Sequence, residues 1–207
     1  MSIPLLRVFV LCGAVLVLLL GFAGNAQAYE QPRNLAIGSQ GEDVAALQTA
    51  LNTIGYSAGK VDGFFGPITQ GAVIRFQSAT KLKPDGIAGP KTSRVLSLAL
   101  NEPINEPPPT VYKQVLQMRA SAYDDDDLCN YPYTGQPSYI GLPLMVGVVA
   151  VDPKVIPLGS QLWIEGYGPA IAGDVGGAIK GTRLDLLYPF HQSAWNYGIQ
   201  NVNVYIL

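Results

Sequence analysis

The amino-acid sequence predicts an α+β protein of two domains, a small three-helix bundle followed by a six-stranded β-barrel. Three observations support this fold class. Residues 29–100 carry apolar residues at helical spacing, whereas residues 113–207 carry them mainly at alternate positions. Between the two lies a segment with four prolines in ten residues, 101–110. The change of period across this segment divides the chain.

Composition excludes several classes of protein. The chain has 207 residues, 48% of them hydrophobic and 14% charged, with a formal net charge of −2. It is too apolar to be disordered throughout, and it lacks the basic excess of a nucleic-acid binder. One histidine and two cysteines do not make the usual Cys/His zinc site. We therefore expect no nucleic-acid partner, no metal and no cofactor.

The first 28 residues have the pattern of a secretory signal peptide. Arg7 is the only charge before Glu30, residues 8–23 are apolar or glycine, and a small-x-small site ends at Ala28. An uncleaved anchor is the alternative, but the apolar run is short for a spanning helix. Cleavage predicts export to the periplasm or cell wall without stable membrane insertion. It removes Cys12 and leaves Cys129, which we interpret as a packed small residue.

An internal repeat organises residues 29–100. The segment from Asp62 to Thr69 matches the segment from Asp85 to Thr92, an offset of 85 − 62 = 23 residues. Each copy predicts a turn that leads into a helix, because Asp-Gly favours a turn and the following proline suits the first helical position. Those prolines are Pro67 and Pro90.

A further helix is expected before the repeat. Ser39 and Glu42 have the spacing of a capping box, and Gly55 can end the helix in a left-handed conformation. Three apolar stripes then predict the buried faces of a compact three-helix bundle. The stripes are Val44, Leu47, Leu51 and Ile54; Ile68, Ala72 and Phe76; and Val95, Leu98 and Ala99.

Residues 37–98 resemble the three-helix type of peptidoglycan-binding domain. The resemblance rests on Gly41-x-Asp43-Val44, Leu47-Gln48, Gly55-Tyr56, Val61-Asp62-Gly63-x-Phe65-Gly66-Pro67-x-Thr69, Phe76-Gln77 and Asp85-Gly86-Ile87. It implies binding to wall glycan or stem peptide. Most matched positions are turn and core residues, and we interpret Tyr56 and Phe65 as core in preference to ligand contacts.

The second domain begins after the proline-rich linker, residues 101–112, which favours extended geometry. Six strand candidates follow, separated by Gly and Pro, and six short strands with such turns are typical of a small barrel. The candidates cover 116–122, 146–151, 161–165, 170–173, 182–188 and 201–207.

Three isolated aspartates stand out in this charge-poor domain. Asp152 ends an apolar strand, Asp174 precedes the pair Gly176-Gly177, and Asp185 lies inside the apolar run Leu184–Leu187. Burial would raise the pKa of such a carboxyl, and a neighbouring aspartate would raise it further. A raised pKa suits a general acid. The alternative is that Asp185 points outward from a half-exposed strand.

Nearly all of residues 118–207 resemble the three-aspartate (3D) domain. The motifs are Gly147-x-x-Ala150-Val151-Asp152-Pro153-x-x-Ile156-Pro157-Leu158-Gly159, Gly166-Tyr167-Gly168 and Ala172-Gly173-Asp174-x-Gly176-Gly177-Ala178-Ile179-Lys180-Gly181-x-x-x-Asp185. The resemblance implies a double-psi β-barrel, similar to the barrel of lytic transglycosylase A and to stationary-phase muralytic factors.

The resemblance also implies a mechanism. An aspartate in the position of Asp185 protonates the glycosidic oxygen between N-acetylmuramic acid and N-acetylglucosamine. It then takes the proton from the C6 hydroxyl that attacks C1, which yields a 1,6-anhydro sugar. Asp174 and Asp152 would shape the field around it. The substrate-binding candidates are Tyr123, Gly176, Gly177 and Lys180.

The sequence departs from the family pattern in places. The acidic run Asp124–Asp127 follows Tyr123 and is interpreted as a solvated loop, with cation binding as the alternative. His191 is interpreted as a surface residue in a loop. The basic pair expected after Gly198 is replaced by Ile199-Gln200.

Taken together, the sequence predicts a monomeric, exported lytic transglycosylase that binds peptidoglycan through its helical domain. Two alternatives stay open. One is a non-catalytic wall-binding or expansin-like wall-loosening protein, and the other is a glycan hydrolase on the same barrel.

Overall fold

The computed structural model describes residues 33–130 and 132–207. The predicted signal peptide and Cys12 lie outside the described residues. Within the described ranges, no helix combines the length and the apolar character needed to cross a membrane.

The helical domain contains α1 (Glu42–Thr53), α2 (Pro67–Ala79) and α3 (Pro90–Ala99). As predicted, Pro67 and Pro90 are the first helical residues of α2 and α3, where a missing N–H removes no helical hydrogen bond. Gly55 follows the end of α1 with φ of 86°, the left-handed conformation that the sequence predicted.

Two buried glutamines explain the repeat. The amide of Gln48 donates to the carboxylate of Asp62 at 2.9 Å and to the hydroxyl of Thr69 at 3.2 Å. The amide of Gln77 donates to Asp85 at 3.0 Å, and to the hydroxyl at the matching position of the second copy at 3.2 Å. Each glutamine oxygen also accepts backbone N–H groups of the turn. The two copies of the sequence repeat therefore form the same hydrogen-bond network, and each network fixes a turn to a helix.

Two details of the predicted helices are wrong. Gly41, not Ser39, occupies the N-cap of α1 without a side-chain bond, and the Ser39 hydroxyl accepts the N–H of Ala36 at 3.1 Å. The capping box does not form because Ser39 is used in the preceding turn. Ile68 is 66% exposed, and Thr69 is buried instead because it bonds the glutamine of α1.

The second domain is a closed six-stranded barrel. Its strands are β1 (Gln114–Tyr123), β2 (Val148–Ala150), β3 (Gln161–Ile164), β4 (Gly168–Asp174), β5 (Arg183–Leu187) and β6 (Gln200–Ile206). The order around the barrel is β1-β5-β2-β4-β3-β6. The pairs β1/β5 and β2/β4 are parallel, and the other four are antiparallel. The predicted fold class, a three-helix bundle followed by a six-stranded double-psi barrel, is confirmed.

Two short helices of the barrel domain were not predicted. They are α4 (Asp127–Asn130) and α5 (His191–Tyr197). The loop predicted around His191 is wrong, since this residue begins α5. The helix forms there because Ser193 and the backbone of Phe190 exchange hydrogen bonds at its start.

The two domains contact each other through helix ends. Lys81 follows α2 and Asn101 follows α3, both with the positive φ that usually favours glycine, 59° and 57°. Lys81 forms an ion pair with Asp125 at 2.5 Å. The Asn101 amide donates to the carbonyl of Ser193 at 2.8 Å. Each unusual backbone conformation therefore accompanies a contact with the barrel domain.

Aromatic packing strengthens this contact. Phe190 stacks on Tyr56 with ring centres 6.3 Å apart and also packs against Phe76. Phe65 is fully buried in the helical core. The linker takes part as well, because the side chain of Ile104 belongs to the barrel core. Phe65 is thus a core residue, Tyr56 is partly buried and packs against the same core, and the barrel is packed against the bundle.

Candidate active site of the barrel

Adjacent strands bring Asp174 and Asp185 to one region of the barrel. Ala150 of β2 pairs with Asp185 of β5 on one side and with Asp174 of β4 on the other. Ser121 of β1 pairs with Asp185 from the far side. Since neighbouring strands lie about 4.8 Å apart, the backbones of the two aspartates are about 10 Å apart. The register therefore places two carboxylates near each other without direct contact between their strands.

Asp185 has the environment of a carboxyl that can hold a proton. It lies partly buried in β5 between the buried residues Leu184 and Leu186. Burial raises the pKa of Asp185 to about 6, and a hydrogen bond from the Ser121 hydroxyl, 2.8 Å long, opposes that rise. Leu184 and Leu186 both belong to the barrel core, so the side chain of Asp185 points to the other face of β5, as the alternative interpretation of the sequence has it, but it is half-buried there.

Tyr123 lies beside both aspartates. Its hydroxyl donates to Asp174 Oδ2 at 3.5 Å. Burial, followed by the charges of Asp174 and Asp185, raises the pKa of Tyr123 well above its usual value, so the phenol stays protonated. The other oxygen of Asp174 accepts the backbone N–H of Tyr139 at 3.0 Å. Asp174 therefore links the end of β1 to the loop that contains Tyr139.

Asp152 has a different environment. Its carboxylate is buried and accepts the N–H of Gly181 at 2.7 Å and the N–H of Lys154 at 3.0 Å. These two backbone bonds lower the pKa of Asp152 and hold the carboxylate in its charged form. The residue ties the turn after β2 to the turn before β5, which makes it a positioning residue for the loop 175–182.

The loop 175–182 carries the glycine pair and Lys180. A Cβ on Gly176 would lie 2.6 Å from Ile179, so glycine is required there for packing. Gly177 has open space around it and is exposed. The Lys180 ammonium donates to the carbonyl of Gly176 at 3.2 Å, within the same loop. Gly177 is consequently the position where a ligand can approach the backbone.

A cleft of about 530 Å³ opens beside this loop. Asp174 lines it, whereas Asp185 is not among its described lining residues. Two exposed tyrosines of the lining, Tyr133 and Tyr139, were missed in the sequence, because the segment 131–143 has no regular period. The lining residues are Asn130, Tyr133, Gln136, Pro137, Tyr139, Leu144, Asp174, Val175, Gly176, Gly177 and Lys180.

The solvated loop predicted for Asp124–Asp127 is wrong for half of the run. Asp124 is 5% exposed. Asp125 is largely buried and accepts bonds from the Lys81 ammonium and the Asn130 amide. Only Asp127 is fully exposed among the four. Lys81 and Asn130 provide the partners that make burial of the Asp125 carboxylate possible.

Two neighbouring interpretations also change. Cys129 is exposed, not a packed small residue. Its sulfur lies 3.5 Å from Nδ1 of His191, which in turn lies 3.3 Å from Asp124. The acidic run, the thiol and the imidazole therefore converge at the junction of the two domains.

The helical domain has a groove of its own. It has a volume of about 570 Å³ and lies between α1 and α3. At its edge, Arg33 and Asp43 form a two-bond ion pair at 2.6 and 3.0 Å. Its floor is formed by small and apolar side chains such as Leu47, Ala50 and Leu96. This groove is the candidate binding surface of the bundle.

Known families match both domains. Residues 40–96 match the peptidoglycan-binding domain family, and residues 147–207 match the 3D domain family. Among curated proteins, the cell wall-binding protein YocH of Bacillus subtilis is 53% identical over 60 residues, 29% of this chain and 21% of the relative. The spore cortex-lytic enzyme of Bacillus cereus is 48% identical over 59 residues, 28% of this chain and 23% of the relative.

A solved structure of the E. coli lytic transglycosylase MltA is similar at 22% identity and a TM-score of 0.32, over 36% of this chain and 28% of that one. The regions that match YocH and the spore cortex-lytic enzyme each span less than a quarter of the length of that relative. The two family matches fall on the bundle and on the barrel that the structure shows. The chain thus contains a peptidoglycan-binding domain followed by a 3D domain.

Proposed function

We propose that the protein is a peptidoglycan-binding lytic transglycosylase. It cleaves the bond between N-acetylmuramic acid and N-acetylglucosamine and leaves a 1,6-anhydro end, with Asp185 as the single acid and base. The observation that carries the proposal is the environment of Asp185, a half-buried carboxyl in a barrel strand whose pKa is raised to about 6. Enzymes that act on cell walls among the relatives support the substrate class.

The proposed reaction uses one carboxyl twice. Protonated Asp185 gives its proton to the glycosidic oxygen as the bond to C1 breaks. The resulting carboxylate accepts the proton of the muramyl C6 hydroxyl while that oxygen bonds to C1. The proton count is restored, and water is not consumed. With a pKa of about 6, about a tenth of the Asp185 side chains are protonated at pH 7, which suits a group that must both give and accept a proton.

The surrounding residues would support this chemistry without reacting. The Ser121 hydroxyl orients the carboxyl through its 2.8 Å bond and stabilises the charged form. Asp174 supplies negative charge on the side where an oxocarbenium-like centre would develop. Tyr133 and Tyr139 offer exposed rings, and sugars pack well on aromatic faces. Gly177 leaves the backbone open to a glycan strand.

The helical domain would act as an anchor. Its groove between α1 and α3 is on a separate surface from the barrel cleft, since the two share no lining residue. A bound wall polymer therefore leaves the cleft accessible. Anchoring raises the effective concentration of an insoluble substrate at the barrel.

A non-catalytic wall-binding protein is the second candidate. The absence of Asp185 from the described lining of the cleft favours it. A glycan hydrolase is the third, because about 10 Å between the Asp174 and Asp185 backbones leaves room for a water molecule between the carboxyls.

Digestion of purified sacculi separates the three. The protein is incubated with sacculi, and the soluble products are analysed by mass spectrometry. Anhydromuramyl ends are expected. Reducing ends would indicate the hydrolase instead, and an absence of soluble fragments together with sedimentation of the protein would indicate the binding protein.

The Asp185→Asn variant tests the assignment of the acid. It should lose at least about 100-fold in rate, the smallest usual contribution of a general acid, while it still sediments with sacculi through the bundle. Glu165→Gln is the matched control, since it removes an exposed carboxylate of the same domain that bonds Asn203. Full activity of Asp185→Asn would contradict the assignment.

A further inference from the structure

Four side chains of different chemistry converge where the loop after β1 meets the start of α5. Asp124 and Asp126 come from the acidic run, Cys129 from α4 and His191 from α5. One ligand atom from each of the four lies within 4.8 Å of the others. None of these residues takes part in the proposed reaction, and the site does not depend on it.

We propose that these four residues, Asp124, Asp126, Cys129 and His191, bind one zinc ion. The distances to Nδ1 of His191 are 3.5 Å from the Cys129 sulfur, 3.3 Å from Asp124 and 3.7 Å from Asp126. Around a tetrahedral zinc, ligand atoms at usual bond lengths are separated by about 3.4 Å for nitrogen and oxygen and about 3.6 Å for nitrogen and sulfur. The three distances from Nδ1 of His191 are thus close to those between zinc ligands, and the remaining pairs lie within 4.8 Å.

The polar contacts inside the cluster also indicate a cation. A ring nitrogen carries at most one proton, yet Nδ1 faces two carboxylates and a sulfur at these short distances. Asp124 is 5% exposed, so its charge is shielded only weakly by water. A divalent ion could be bound by all four ligand atoms at once.

The donor set selects the kind of ion. Thiolate and imidazole favour zinc and its transition-metal neighbours, whereas calcium and magnesium prefer oxygen alone. Four protein ligands leave no open position for a substrate, which is the pattern of structural zinc sites. When the ion binds, the Cys129 thiol releases its proton to solvent and the thiolate forms the bond to zinc.

The position of the cluster gives the ion a structural role. It lies in a crevice of about 310 Å³ at the domain junction, lined also by Lys81 and Phe190, which provides an entry path. Zinc would join α4 to α5, next to the Lys81–Asp125 ion pair. It would thereby fix the beginning of the segment that carries Tyr133 and Tyr139 to the cleft.

Metal binding to the untagged, full-length protein tests this proposal. After removal of metal with a chelator, the protein should take up one zinc ion per chain, measured by elemental analysis and by competition with a chromogenic chelator. Cobalt in place of zinc should give the visible bands of a tetrahedral ion and a thiolate charge-transfer band in the near ultraviolet. Uptake well below one zinc per chain would overturn the proposal.

Variants assign the ligands. Cys129→Ser and His191→Ala should each weaken zinc binding by at least about 100-fold. Loss of a residue that only hydrogen-bonds a metal ligand weakens binding by up to about 100-fold, so loss of a ligand itself should have at least that effect. Cys129→Ser should also abolish the charge-transfer band. Asp127→Asn, which removes the exposed acid of the run, should stay within about twofold of the wild type. Circular dichroism confirms that each variant is folded. A folded Cys129→Ser that binds zinc as tightly as the wild type would refute the site.

Discussion

The aspartates of the helical repeat and Asp185 of the barrel differ in how many hydrogen-bond donors they face. Asp62 accepts the amide of a buried glutamine and a backbone N–H, and Asp85 does the same in the second copy. These bonds lower the pKa of both carboxyls. Asp185 accepts a bond from the Ser121 hydroxyl, and burial raises its pKa to about 6.

This difference separates carboxylates that build the fold from one that is suited to chemistry. A carboxylate with several fixed donors is stabilised in its charged form and holds a turn. A carboxyl that is buried with few donors is destabilised in its charged form, and such carboxyls are concentrated at functional sites. By this criterion Asp152 belongs with the aspartates of the repeat, although it lies in the barrel.

The largest effect is expected from the network of the repeat. Gln48→Ala should lower the free energy of unfolding of the helical domain by about 3 to 5 kcal/mol, since it leaves several turn groups without their partner and opens a cavity. Thermal or urea unfolding measures it. Thr49→Ala, next to it on the exposed face of α1, should change stability by no more than about 0.5 kcal/mol. Similar values for the two variants would contradict this account of the repeat.

The second prediction concerns stability at Asp185. Its pKa is about 6 in the folded protein and 3.8 in the unfolded chain, so the folded state binds more protons between these values. Stability therefore falls as the pH rises from about 4 to about 6. At pH 7 the charged group destabilises the fold by at most about 3 kcal/mol, and Asp185→Asn should recover part of this.

The gain of Asp185→Asn should shrink as the pH falls and disappear below about pH 3, where the wild-type carboxyl is protonated in both the folded and the unfolded state. Asp152→Asn is the informative contrast. The lowered pKa of Asp152 stabilises the fold above the unfolded value, and this contribution is lost as the pH falls through the folded value. Asp152→Asn should therefore destabilise at pH 7. If Asp185→Asn were the less stable of the two, the distinction between them would be wrong.

The sequence predicted the fold well because its signals are local. The proline positions, the repeat offset and the alternation in each strand all act within a few residues, and six strands were found where six were expected. Ile68 was misassigned because a polar partner, Gln48, displaced it from the core. A stripe of apolar residues does not reveal such a partner.

The candidate site was less predictable. Family motifs identified Asp152, Asp174 and Asp185, but their separate environments depend on strand register and on which backbone N–H groups a loop presents. The cluster of Asp124, Cys129 and His191 joins positions more than 60 residues apart. No spacing rule in the sequence connects them, and Tyr133 and Tyr139 lie in a segment without regular structure.

The third prediction concerns the hydrogen bond that Asp185 accepts from the Ser121 hydroxyl. Ser121→Ala removes a bond that favours the charged carboxylate, so it should raise the pKa of Asp185 by about 1 unit. If the protonated carboxyl starts the reaction, the alkaline limb of the pH–rate profile should move upward by the same amount. Ser160→Ala, which removes a hydroxyl bonded to the carbonyl of Pro157, should leave the limb unchanged. A downward shift with Ser121→Ala would contradict the role of the hydroxyl.

The smallest effect tests the junction where the two regions meet. Lys81→Ala removes the ion pair with Asp125, of which only the ammonium is half-exposed. It should cost about 1 kcal/mol, since the Asn130 amide and the N–H of Gly135 still donate to the buried carboxylate. Lys81→Gly loses the same ion pair, but glycine adopts the φ of 59° without the penalty of a side chain, which returns about 1 kcal/mol. The glycine variant should therefore unfold in urea at a higher concentration than the alanine variant, at a midpoint close to that of the wild type. The reverse order would show that the left-handed backbone at residue 81 carries no cost, and that the ion pair alone keeps lysine at a position where glycine is usual.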